Sequence, residues 1–141
     1  MLAIGIDPGE KRVGVAVCDD EGVIAMPRAA LVLRNRREAA ARVVALAREL
    51  AAARVVMGLP IDMSGREGLA ARKSRALATQ LRAGGLAVVL WDERASTVAA
   101  SRDLRRLGHD AKAARSLVDS TAACLLLQSW LDADEHARVG L

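Results

Sequence analysis

Three acidic segments in this chain have the residue types and settings that phosphodiester chemistry needs. Asp7 ends the apolar run Leu2-Ala3-Ile4-Gly5-Ile6 and leads into Pro8-Gly9-Glu10-Lys11-Arg12. A charge at the tip of a buried strand is costly unless something binds it. Open α/β sheets collect their ligands at such strand ends. Comparable settings hold Asp92 and Glu93 in Trp91-Asp92-Glu93-Arg94, and Asp119 in Leu117-Val118-Asp119-Ser120. Three separated carboxylates aimed at one place suit a hard divalent cation, Mg²⁺ or Mn²⁺. Paired ions ~3.5–4 Å apart in such sites activate water and stabilise the leaving oxygen.

Periodicity refines this. Strand alternation puts Ala3, Gly5 and Asp7 on one face and Leu2, Ile4 and Ile6 on the other. Asp92 shares a face with Val88 and Leu90, and Glu93 with Val89 and Trp91, so one of the pair points the way Asp7 does. Alternation leaves open which. Helical spacing aligns Asp119 with Ala122, Ala123, Leu126 and Trp130, the apolar stripe rather than the solvent face. Each acid alone has a plainer explanation: Asp7 as a turn former before Pro-Gly, Asp92 and Glu93 as partners of Arg94, Asp119 as a helix cap. Their joint placement is the stronger signal.

Basic residues surround these segments. Lys11 and Arg12 follow the first acid in a glycine-containing loop, as phosphate neighbours would. Arg72, Lys73 and Arg75 lie beyond the loop after Gly58-Leu59-Pro60, and Arg94 adjoins the second acidic pair. Together they suit contact with a phosphate backbone. The chain has two Trp and no Phe or Tyr, which disfavours base stacking on single strands.

The elements that position these groups follow from composition and pattern. The 141 residues, 52% hydrophobic, fit one domain with a single sizeable core. No apolar run reaches the ~20 residues of a membrane span, and the start of the chain lacks the pattern of a signal peptide; a soluble, cytoplasmic protein is expected. Cys18 and Cys124 have no metal-like spacing and read as small hydrophobes in a reducing compartment. The net charge of +4 favours polyanionic partners.

Residues 2–7, 13–18 and 23–33 read as strands, the third an edge or bulged strand because of Pro27. Asn35 caps a helix to about residue 52, with Glu38 as a capping-box partner. A strand at 54–57, a helix over 67–82, a strand at 87–91, a helix from Ser96 or Thr97 to Leu107, and a last helix closing near Leu131 complete the order. The expectation is an α/β domain over 1–141: a mixed five-stranded sheet, a meander of three strands followed by two βα units, with helices on both faces. Residues 132–141 are expected to form a flexible tail.

Four segments in order resemble the YqgF (RuvX) family, which has an RNase H-like fold and is related to the RuvC Holliday-junction resolvases. They are Gly5-Ile6-Asp7-Pro8-Gly9-Glu10-Lys11-Arg12-Val13-Gly14-Val15-Ala16, Gly58-Leu59-Pro60-Ile61-Asp62-Met63-Ser64-Gly65, Asp92-Glu93-Arg94-Ala95-Ser96-Thr97, and Asp119-Ser120-Thr121-Ala122-Ala123 with Leu126-Leu127-Gln128. The resemblance implies a bacterial cytoplasmic nuclease of ribosome biogenesis that matures the 5′ end of 16S ribosomal RNA. It places the catalytic and metal-binding acids on Asp7, Glu93 (Asp92 being the nearby alternative) and Asp119, and the family's basic pair on Lys11 and Arg12.

The chain departs from the family pattern in places. Glu10 stands where a small hydroxyl residue is usual, either repelling phosphate or adding a metal ligand. Ser64 and Arg66 replace the usual acidic and hydroxyl residues of their loop. RuvC relatives carry an acid at the end of the fourth strand, where this chain has Met57-Gly58.

Precursor ribosomal RNA is therefore the expected partner, with branched DNA as the alternative, for a monomer or homodimer. Other readings are a non-catalytic assembly factor that binds ribosomal RNA, and an actin-like ATPase suggested by Asp-x-Gly-x-Lys-Arg. The ATPase would need two such domains.

Overall fold

The computed structural model describes residues 2–92 and 112–139, with side chains for 2–92 and 120–133. Five strands, β1 (Ala3–Pro8), β2 (Arg12–Cys18), β3 (Ala25–Val32), β4 (Arg54–Leu59) and β5 (Ala87–Asp92), form one sheet in the order β3-β2-β1-β4-β5. The first three pair antiparallel, because short turns join them. β4 and β5 pair parallel to β1 and β4, because helices carry the chain back between them. β1, a run of apolar residues ending in an acid, is thus the central strand.

Helices α1 (Ala39–Glu49) and α2 (Leu69–Ala83) cover one face, and α3 (Lys112–Val139) covers the other. The apolar alternation of the strands feeds two cores. Ile4, Ile6, Val13, Val15, Val55 and Met57 face α1 and α2 with Val43, Leu46 and Leu81. Ala3, Ala16, Cys18 and Val56 face α3 with Ala122, Ala123, Leu126, Leu127 and Trp130. The strand residues under α3 are small, so the helix seats close to the backbone. A Cβ on Gly5 would stand 2.8 Å from the Leu127 Cβ and 2.9 Å from the Ala123 carbonyl oxygen.

β3 is the edge strand that Pro27 foretold, and it carries a bulge. Val13 and Val15 face Leu31 and Arg28, so β3 spends one extra residue there. Asn35 caps a 3₁₀ turn over Arg36–Glu38, its Oδ1 accepting from the Arg37 N–H at 3.0 Å. The Glu38 carboxylate accepts most closely from the Arg34 N–H, at 2.6 Å, with the Asn35 N–H contributing less. α3 continues past the expected stop at Leu131 to Val139; the intervening residues include no Gly or Pro, so nothing breaks the helix. The helix expected between Ser96 and Leu107 lies outside the described residues.

Candidate active site

Asp7 is 2% exposed, one of only two buried polar or charged residues among those described; the other is Ser120. Its position follows from alternation: Gly5 abuts α3, so Asp7, two residues on, also belongs to the α3 face. Across the ladder it stands opposite Gly14. Arg12, two residues before Gly14, occupies the same face of β2 on the diagonal from Asp7, within reach of a long side chain. Lys11 is exposed in the intervening turn, which the Gly9 N–H closes on the Arg12 carbonyl at 2.7 Å.

The position of α3 is fixed at both ends of the sheet. Near its C-terminal part, the Arg54 guanidinium lies 5.5 Å from the Trp130 ring centroid, and Arg54 is level with Ala3. The Trp91 indole N–H donates to the Ser129 hydroxyl at 3.0 Å. The Gln128 side chain acts as a substitute strand at the edge, accepting from the Ala25 N–H and donating to the Val23 carbonyl, both at 2.8 Å. Further toward the helix N-terminus, the Ser120 hydroxyl accepts from the Val15 N–H at 3.4 Å and donates to the Arg28 carbonyl, bridging the β3 bulge.

α3 therefore runs antiparallel to β1. Asp119 precedes Ala123 by about one helical turn of ~5.4 Å, while Asp7 lies two strand residues, ~6.6 Å, beyond Gly5. The backbone thus brings position 119 level with the Asp7 end of β1. The side chain of Asp119 is not among those described.

β5 distinguishes between its two terminal acids in part. Val88 and Leu90 pack toward α1 and α2, and Val89 and Trp91 toward α3. Asp92, half-buried and paired with Leu59, continues the Val88–Leu90 face and so belongs to the side opposite Asp7. Glu93 and Arg94 lie outside the described residues. Among the described residues no group of three His, Cys, Asp or Glu assembles to hold a metal ion. Asp7 itself, a buried carboxylate at the carboxyl end of the central strand, is a donor that a hard cation accepts.

The other basic residues expected at the site lie elsewhere. Lys73 is on α2, across the sheet from Asp7, and pairs with Glu10 at 3.4 Å. Glu10 thereby turns toward α2. Arg75 is held by both carboxylate oxygens of Glu67, at 2.6 and 2.7 Å, and that hydrogen bonding keeps the Glu67 carboxyl below its ordinary range. Arg72 is exposed on the same helix. Ser64 and Arg66 serve the loop itself: Asp62 Oδ1 accepts from the Ser64 N–H and hydroxyl and from the Arg66 N–H at 2.6–2.9 Å. Met57 is buried in the α1–α2 core, so the end of β4 supplies no carboxylate.

Sequence reasoning gave no role to Ser120. Its signal was a hydroxyl on the buried stripe of α3, three residues before Ala123, where an apolar residue belongs.

A five-stranded mixed sheet with an acid buried on its central strand and a long helix across that face is the architecture of the RNase H-like nucleases. The chain belongs to the RuvX (YqgF) family, described as a Holliday junction resolvase, which it matches over residues 1–133. A protein of Anaeromyxobacter sp. (strain Fw109-5) named "Putative pre-16S rRNA nuclease" is 42% identical over 133 residues, covering 94% of this chain and 97% of its own. One of the same name from Syntrophus aciditrophicus (strain SB) is 35% identical over 140 residues, covering 99% and 93%. Among solved structures, Thermus thermophilus RuvC superimposes with a TM-score of 0.57 at 18% identity, covering 96% of this chain and 97% of that one. The fowlpox virus Holliday junction resolvase gives 0.54 at 18%, covering 94% and 99%. These two likenesses establish the fold.

Proposed function

We propose that this chain is a metal-dependent nuclease that hydrolyses phosphodiester bonds in maturing the 5′ end of precursor 16S ribosomal RNA, in the cytoplasm. The observation that carries the reading is the buried Asp7 at the end of the central strand, with α3 seated so that position 119 lies level with it. Asp7, Glu93 and Asp119 would hold Mg²⁺ or Mn²⁺; the face occupied by Asp92 supports Glu93 as the β5 ligand. When bound, the metal supplies an activated water and charge stabilisation for the leaving oxygen. Arg12, on the Asp7 face, and Lys11, exposed beside it, would orient the scissile phosphate. Arg72, Lys73 and Arg94 would hold more distant parts of the substrate, while Arg75 is engaged by Glu67.

The test is cleavage of precursor RNA and branched DNA by the purified protein over a metal titration, with product mapping. Metal-dependent cuts near the 5′ end of the mature RNA, lost in Asp7→Asn, are expected; retained cleavage in that variant refutes the assignment. A second reading, resolution of branched DNA, has the family description in its favour. It requires a dimer and paired symmetric nicks. The apolar Met57 in place of an acid weighs against it.

A further inference from the structure

A cavity of about 880 Å³ opens on the side of the sheet away from Asp7, between the β1–β2 turn, the 3₁₀ turn before α1, and α2. Arg36, Arg37 and Lys73 line it against a single carboxylate, that of Glu10. Arg36 and Arg37 are exposed and form no ion pair among the described residues. The Asn35 cap fixes the backbone there, its side chain accepting from the Arg37 N–H at 3.0 Å. The Lys73–Glu10 pair is solvent-exposed, with side chains 39% and 74% accessible. Such an exposed pair contributes little, so a phosphate can displace Glu10 from Lys73. The cavity begins at Pro8, the residue after Asp7, so a strand lying over the Pro8–Gly9 turn reaches both sides of the sheet.

We infer that this cavity is a second binding site for the phosphate backbone of the nucleic-acid substrate, taken by Arg36, Arg37 and Lys73 away from the point of cleavage. The inference rests on the nuclease reading and adds to it a site with no acid of the cleavage set in it. Its cations, Arg36, Arg37 and Lys73, belong to none of the segments that carry the family resemblance, whereas Pro8, Gly9, Glu10 and Pro60 of its lining do.

The experiment compares Arg37→Glu with Arg48→Glu, a matched charge reversal on an exposed residue of α1 outside the cavity. Affinity for a 20-nucleotide RNA is measured by fluorescence anisotropy across a salt series, with inorganic phosphate and a mononucleotide as separate probes. Arg37→Glu should weaken RNA binding several-fold more than Arg48→Glu and lower the salt slope by about 0.7, the value for one lost single-strand phosphate contact. Equal effects of the two reversals overturn the cavity alone. Loss of mononucleotide or phosphate binding in Arg37→Glu with RNA binding intact makes it a small-anion site and overturns it too. A wild-type chain that binds no RNA overturns both this site and the reading it rests on. Matching thermal melts of the two variants establish that both are folded.

Discussion

The Ser120 hydroxyl lies 3.4 Å from the Val15 amide nitrogen and joins α3 to the sheet where the bulge in β3 interrupts the ladder. The same hydroxyl donates to the Arg28 carbonyl, so one side chain satisfies both strands of the irregular pair. Asp119 is the preceding residue, so the bond that closes the bulge also sets where the acid-bearing turn of α3 sits above β1.

Ser120→Ala should therefore cost about 1–3 kcal/mol, the penalty of leaving a buried donor unsatisfied. Urea denaturation measures it as a lower midpoint with an unchanged slope. Because the change also releases the turn that carries Asp119, cleavage should fall by more than the population unfolded accounts for.

Replacing Asp7 by Asn keeps the shape and removes the charge. Cleavage should fall at least about a hundredfold, since the change removes a carboxylate that would hold the cation stabilising the developing charge. RNA affinity without metal should stay within about threefold, because backbone binding rests on cations elsewhere. Single-turnover rates and filter binding separate the two effects.

On β5 the two acids should behave differently. Asp92 continues the face of Val88 and Leu90, so Asp92→Asn should leave cleavage within a few-fold of wild type. Glu93→Gln should abolish it to the same extent as Asp7→Asn, about two orders of magnitude. Equal and severe losses in both variants, measured under the same metal conditions, would reverse this assignment.

Gly5 tolerates no side chain as α3 now sits, because a Cβ would stand 2.9 Å from the Ala123 carbonyl oxygen. Gly5→Val must push the helix off the central strand. An overpacking cost of about 1–3 kcal/mol is expected, with loss of activity at temperatures where the variant is still folded. Thermal unfolding monitored by circular dichroism, alongside cleavage assays, checks both.

Acid should loosen the β2–β3 turn. The Ile24 and Val23 N–H groups both donate to Asp19, at 3.1 and 2.7 Å, and hold its carboxyl below the ordinary value of 3.8. A carboxyl with a depressed folded pKa contributes its stability above the unfolded value and loses it as pH falls through the folded one. Stability should drop below about pH 4, and Asp19→Asn should flatten that part of the curve. Thermal melts between pH 2.5 and 5 test it.

What the residues determined by themselves was mostly local or periodic. Alternation in Leu2–Asp7 assigned Asp7 to the face that α3 covers. Pro27 marked β3 as an edge, and the ordered motifs gave the family and hence the RNase H-like sheet. Only tertiary structure decided the rest, because it depends on which face of the sheet each helix covers. That choice put Lys73 across the sheet from Asp7, turned Glu10 toward α2, occupied Arg75 with Glu67, and separated Asp92 from the Asp7 side. It also gave Ser120 its work, since a bulge in β3 and a hydroxyl on α3 are 92 residues apart along the chain and meet only when the helix docks.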